Sequence, residues 1–155
     1  MGNKENGVLH ITELEADKHA ASGRRILATD DATFRIRFSM GPETKAFHPG
    51  FDPARGEFEK KGHLYSIIVM PDQWRIVKHV DKNRPREDPN EILAQKPHEF
   101  QPSQWDELEI ECEGENIIAR IETIGELSAS HPTFSVKRKE TNHHFPSRRR
   151  NDESR

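Results

Sequence analysis

Residues 105–122 read WDELEIECEGENIIARIE, and their alternation decides the fold. Leu108, Ile110 and Cys112 fall between Glu107, Glu109, Glu111 and Glu113; Gly114 to Asn116 supply a turn; Ile117, Ala119 and Ile121 then resume the alternation. Successive strand side chains point to opposite faces, whereas a helix of 3.6 residues per turn would scatter these apolar positions around its axis. The stretch therefore predicts an antiparallel hairpin with one face on a core and the other, a row of carboxylates, in water. A glycosidase needs two carboxyls flanking one bond, and the regular alternation of these four glutamates reads instead as a solvated face.

The same period appears on either side. Thr33 to Ser39 puts Phe34, Ile36 and Phe38 on one face and Arg35 and Arg37 on the other, and Val8 to Leu14 follows a weaker version of the pattern. His63 to Met70 is apolar on both faces, which places it centrally. It joins Trp74 to Val80 through Pro71, Asp72 and Gln73, residues that favour a tight turn. Gly41 to Gly62 carries Pro42, Pro49 and Pro53, and Asp81 to Gln104 carries Pro85, Pro89, Pro97 and Pro102. Both are expected as long loops, the second broken by an extended piece near Glu91 to Gln95. From Lys137 to Arg155 there is one Phe and no aliphatic residue, so no strand is expected there. The prediction is an all-β, antiparallel sandwich of the jelly-roll kind, with Phe34, Ile36, Phe38, Leu108, Ile110 and Ile121 sharing one interior.

Composition narrows the classes further. At 155 residues the chain is one domain, and a hydrophobic fraction of 32 % against a charged fraction of 33 % implies a thin core. A formal charge of -3 offers no clustered basic surface for nucleic acid. The one dense basic run, Arg148 to Arg150, reads as a solvated tail. Cys112, the single cysteine, has no internal disulfide partner and reads as a small buried hydrophobe. No stretch approaches the ~18 apolar residues of a membrane span, and Met1 to Gly7 has no hydrophobic signal-peptide core. A Gly-rich phosphate loop, a Gly-x-Ser-x-Gly elbow and a cysteine in a catalytic setting are all missing.

Gly62-His63-Leu64, the strand Trp74 to Val80 with Lys78 and Asp81 at its end, the Trp105 to Ile121 hairpin and Ser130-His131-Pro132 together resemble the concanavalin-like or laminin-G-like jelly-roll domains. The nearest variety is the 3-keto-disaccharide hydrolase-type domain of exported planctomycete proteins. Gly7-Val8-Leu9 resembles the "DGVL" strand of that variety, with Asn6 in place of aspartate. The resemblance implies an incomplete jelly roll over residues 7–136, cut short at its start, and an exported, carbohydrate-associated protein. It also implies that residues 137–155 are a disordered or non-native tail. Reading the codons possible for Asn142 to Asn151 one nucleotide later permits Phe, Pro, Val, Ala, Gly and Glu, the family's next strand, so a shifted frame is the expectation there.

His63, Lys78, His79 and Asp81 lie on or beside the central hairpin, where imidazole, ammonium and carboxylate suit sugar hydroxyls or proton transfer beside a keto group. Trp74 is a candidate for stacking on a sugar ring, while Trp105 is expected in the core. The candidate ligand-binding set is thus His63, Trp74, Lys78 and His79, and the candidate catalytic set His63, Lys78 and Asp81. The histidines show no short metal-ligand spacing, and His143 with His144 falls in the tail. No cofactor is expected; calcium is the one alternative, on Asp30 and Asp31 or on Asp81 with Glu87 and Asp88, neither of which forms an EF-hand loop. Three functions stay open: glycan or glycoside binding, a hydrolase or lyase acting on 3-keto-glycosides, and a structural module or inactive gene fragment. Oligomeric state is open as well.

Overall fold

The protein is described by a computed structural model over residues 2–5, 8–11, 21–59 and 62–145. In chain order its strands are β1 (Gly2–Glu5), β2 (Val8–Ile11), β3 (Ala21–Thr29), β4 (Ala32–Ser39), β5 (His48–Pro53) and β6 (Tyr65–Met70). There follow β7 (Gln73–Lys78), β8 (Glu91–Pro97), β9 (Trp105–Glu113), β10 (Asn116–Ile121), β11 (Gly125–Ser130) and β12 (Arg138–Phe145). They form a four-stranded sheet, β11-β10-β9-β4, a six-stranded sheet, β3-β12-β5-β6-β7-β8, and a separate hairpin, β1-β2. All pairings are antiparallel.

The period-two pattern is realised residue by residue in the four-stranded sheet. Phe34 pairs with Ile110 and Ile36 with Leu108 on the inner face, while Arg35 pairs with Glu109 and Arg37 with Glu107 on the outer. Outside, Arg35 bonds Glu109 at 2.6 Å, and Arg120 reaches Glu109, Glu111 and Glu126 at 3.2, 2.7 and 2.8 Å. The Arg35 hydrogen bond holds the Glu109 carboxyl below the usual carboxylate range. Exposed pairs of this kind contribute little individually, and their main effect is to keep that face wet and in register.

Stability comes from the interior. Phe51, Tyr65, Ile67, Val69, Trp74 and Ile76 of the six-stranded sheet face Phe38, Leu108, Ile110, Cys112, Ile117, Ala119 and Ile121. Phe34 meets Phe51 at a centroid distance of 5.0 Å, and Tyr65 meets Phe134 at 4.7 Å. A Leu, Ile or Phe buried this fully contributes about 1.5–3 kcal/mol relative to exposure. A thin core suffices because each strand needs only every second residue apolar. The expected interior set is found there, with Phe34 and Ile36 half-buried at its margin.

Three sequence expectations are corrected. The Gly41 to Gly62 connection is not all loop, since it holds β5. Pairs Gly50↔Ser66 and Phe51↔Tyr65 and the bridge Phe47↔Val69 keep one register on β6, and Pro49, which lacks an N–H, falls in the gap between them. Secondly, the apolar pattern stops at Val136 but the sheet does not. β12 runs between β3 and β5, and a strand flanked on both sides satisfies its backbone groups whatever its side chains. Residues 146–155 lie outside the described residues. Thirdly, Trp105 is on the outer face and 47 % exposed.

At the centre sits a buried polar contact. The Arg138 guanidinium donates through Nε to the Tyr65 hydroxyl and through Nη2 to the Phe134 carbonyl at 2.7 Å. Tyr65 Oη lies 3.3 Å from Cys112 Sγ. Burial pushes the Tyr65 phenol well above its ordinary range and, as the largest cause, pushes the Cys112 thiol up too. Both are held protonated in the fold, so they favour folding fully below their unfolded pKa values and lose that contribution as pH rises through the folded ones. Unfolded thiols titrate near 8.5 and phenols near 10. Urea midpoints measured from pH 7 to pH 11 are expected to fall above about pH 9, less steeply in Cys112→Ala; equal slopes would contradict this account. Tyr65→Phe, which leaves the Arg138 Nε proton without an acceptor, is expected to cost about 1–3 kcal/mol.

Candidate functional site: a histidine cluster on the six-stranded sheet

Because Phe51 and Tyr65 point inward, their neighbours Gly50, Asp52 and Ser66 face outward. Three imidazoles gather around them. His48 opens β5, His63 precedes β6 directly after Gly62, whose φ of +92° suits glycine, and His79 follows β7. The ring centroids are 5.9 Å apart for His48 and His63, 5.5 Å for His48 and His79, and 5.6 Å for His63 and His79. A Cβ on Gly50 would come within 2.9 Å of Ser66 Oγ and 3.0 Å of the His63 ring. The missing side chain is thus what lets the cluster close over β5. On the other side of β5 the backbone register sets Asn142 opposite Gly50 and Glu140 opposite Asp52.

His63 Nδ1 is 2.5 Å from Asp52 Oδ1, with both side chains partly exposed. A carboxylate only accepts, so Nδ1 carries the proton. Ser66 Oγ lies 2.7 Å from His79 Nε2. The group thus offers partly exposed imidazole and carboxylate, with the Ser66 hydroxyl buried beneath them, a set that can hydrogen-bond ligand hydroxyls and, through the Asp52–His63 pair, move a proton.

The structure brings His63 and His79 together and places the other expected residues elsewhere. Trp74 is fully buried and presents no ring face to a ligand. Lys78 is 2 % exposed, and its ammonium donates to Asp88, to the Pro89 carbonyl at 2.8 Å and to Glu91 at 3.2 Å. An ammonium has three protons, so this one is fully engaged. Asp81 is also buried and accepts from Asn83 N at 2.9 Å and from the Arg84 guanidinium at 3.4 Å. Lys78 and Asp81 fold the connection to β8. Of the calcium candidates, Asp31 accepts from Gly114 N at 2.8 Å and Asp88 pairs with Lys78. Among the described residues no group of three or more His, Cys, Asp or Glu is arranged to hold a metal ion, and no helix is long and apolar enough to cross a membrane. Sequence reasoning missed His48, Asp52 and Ser66; the signal was the polar parity of 48 and 52 about Phe51, hidden by two prolines.

No family model matches the chain, and no curated protein does. Among solved structures it is similar to the carbohydrate binding module CBM66 from Bacillus subtilis, with a TM-score of 0.60 and 12 % identity over 82 % of this chain and 77 % of that one. The CBM2 module of the evolved Dit of Lactobacillus casei BL23 phage J-1 gives 0.62 and 14 % over 95 % and 71 %. A toad ovary galectin, in complex with thio-digalactose, gives 0.54 and 12 % over 83 % and 96 %. At these identities the likeness shows the fold, an antiparallel jelly-roll sandwich.

Two variants test the local account. Gly50→Ala is expected to stay folded at a cost of about 1–3 kcal/mol and to shift the His63 and His79 ring resonances in proton NMR; unmoved rings would refute the packing described. Lys78→Ala is expected to free the Asp81 to Asn90 connection, seen as faster tryptic cleavage after Lys82 and Arg86. Cleavage at the parental rate would mean that the ammonium does not organise that loop.

Proposed function

We propose that the protein is a glycan- or glycoside-binding jelly-roll module whose ligand lies on the outer face of the six-stranded sheet. The observation that carries this reading is the convergence of His48, His63 and His79 with Asp52 and Ser66 around Gly50. Sugar hydroxyls both donate and accept, and a face mixing a carboxylate with imidazole nitrogens answers both needs. The likeness in fold to a carbohydrate binding module and to a galectin complexed with thio-digalactose supports it.

A second reading, turnover of 3-keto-glycosides, is favoured by the 2.5 Å contact between His63 and Asp52. An imidazole oriented by a carboxylate is a general base suited to the proton beside a keto group. In this reading Lys78 and Asp81 hold the neighbouring loop, and the acid-base pair is His63 with Asp52.

A glycan screen followed by incubation with a 3-keto-disaccharide separates the readings. Binding weakened at least tenfold in His63→Ala and His79→Ala, with circular dichroism unchanged, is the expected result. Turnover abolished in His63→Ala and Asp52→Asn moves the assignment to the enzyme. Silence in both assays from folded protein removes both readings and leaves a structural module.

A further inference from the structure

The outer face of the four-stranded sheet, on the opposite side of the sandwich from the histidines, carries a second constellation. Trp105 shares its strand parity with Glu107 and Glu109 and stands 47 % exposed. The Arg37 guanidinium carbon lies 5.7 Å from the indole centroid. Around them is a cleft of about 290 Å³ lined by Arg37, Trp105, Asp106, Glu107, Glu122 and Thr123. Clefts for small ligands begin at about this size. The neighbouring rows of the same face are self-satisfied, with Arg35 and Arg120 neutralising Glu109, Glu111 and Glu126. Among the described residues Glu107 and Glu122 have no ion-pair partner.

We propose that this cleft is a second ligand site, for a neutral β-linked pyranoside. An indole held in one orientation by a guanidinium is a flat, pre-organised platform, so little ordering cost falls on binding. A pyranose whose hydroxyls are all equatorial presents a flat C–H face that stacks on such a ring. The hydroxyls around its rim then meet acceptors in Glu107 and Glu122 and a donor in Arg37, and charged groups make the stronger hydrogen bonds. Three carboxylates, Asp106, Glu107 and Glu122, against one guanidinium disfavour an acidic sugar and select a neutral one. The site is independent of the histidine cluster, and variants on the two sheets tell their failures apart.

The chain's two tryptophans make the test direct, because Trp74 is fully buried and Trp105 is the one open to quencher. Iodide quenching of the full chain is titrated with cellopentaose, with polygalacturonate as the acidic counterpart. Cellopentaose is expected to shield the quenchable emission and polygalacturonate to leave it unchanged. Trp105→Ala should abolish binding in calorimetry while keeping the Trp74 emission and the unfolding midpoint. Trp105→Phe should retain part of it. The Glu107→Gln/Glu122→Gln pair should weaken it at least fivefold, and His63→Ala should leave it unchanged. Absence of shielding by cellopentaose, calorimetric binding that survives Trp105→Ala, equal binding of polygalacturonate, or loss in His63→Ala would each overturn the proposal.

Discussion

The Arg138 guanidinium lies between the sheets, and among the described residues its partners are oxygens of neutral groups, Tyr65 Oη and the Phe134 carbonyl. A buried cation without a carboxylate is costly unless its hydrogen bonds are well aligned. The Tyr65 ring, with Arg138 Cζ 5.8 Å from its centroid, adds an aromatic face to the same charge. This constraint ties β12 to β6 and, through Cys112, to the opposite sheet. It therefore fixes β5, which lies between β12 and β6 and carries His48, Gly50 and Asp52. The outer site inherits its geometry from an inner contact that touches none of its members.

How far this was legible depends on which force set each element. β4, β9, β10 and the β6–β7 hairpin announce themselves, because burial of alternate side chains writes a period of two into the sequence. β5 and β12 do not, because backbone pairing holds them and prolines or polar residues mask their parity. Trp105 shows how a residue's type can mislead. A large aromatic at a strand start suggests core, yet its parity with Glu107, Glu109 and Glu111 assigns it to the wet face, and parity is the stronger signal. At the candidate site His63 and His79 were readable by their position beside the central hairpin. His48 and Asp52 were not, since only three-dimensional pairing brings β5 against β6. Lys78 and Asp81 stand beside the site in sequence but are spent on loop closure, a role set by the partners that folding supplies.

The two outer faces differ in chemistry for a structural reason. The four-stranded sheet carries a patch of paired charges around Arg35 and Arg120, and among the described residues Glu107 and Glu122, beside Trp105, stand outside that pairing. The six-stranded sheet gathers imidazole rings around Gly50 instead. A sandwich whose strands alternate in and out leaves both outer surfaces free to diverge while one shared interior stays fixed.

The lone thiol adds a last consequence. Cys112 lies inside the sandwich against Tyr65, so no covalent bridge supports the described fold, and thiol–disulfide balance in the surroundings leaves its stability untouched. Two chains can be joined through sulfur only after their sheets have separated. A covalent dimer on a non-reducing gel therefore records molecules that opened, and serves as a tally of past unfolding in any stored sample.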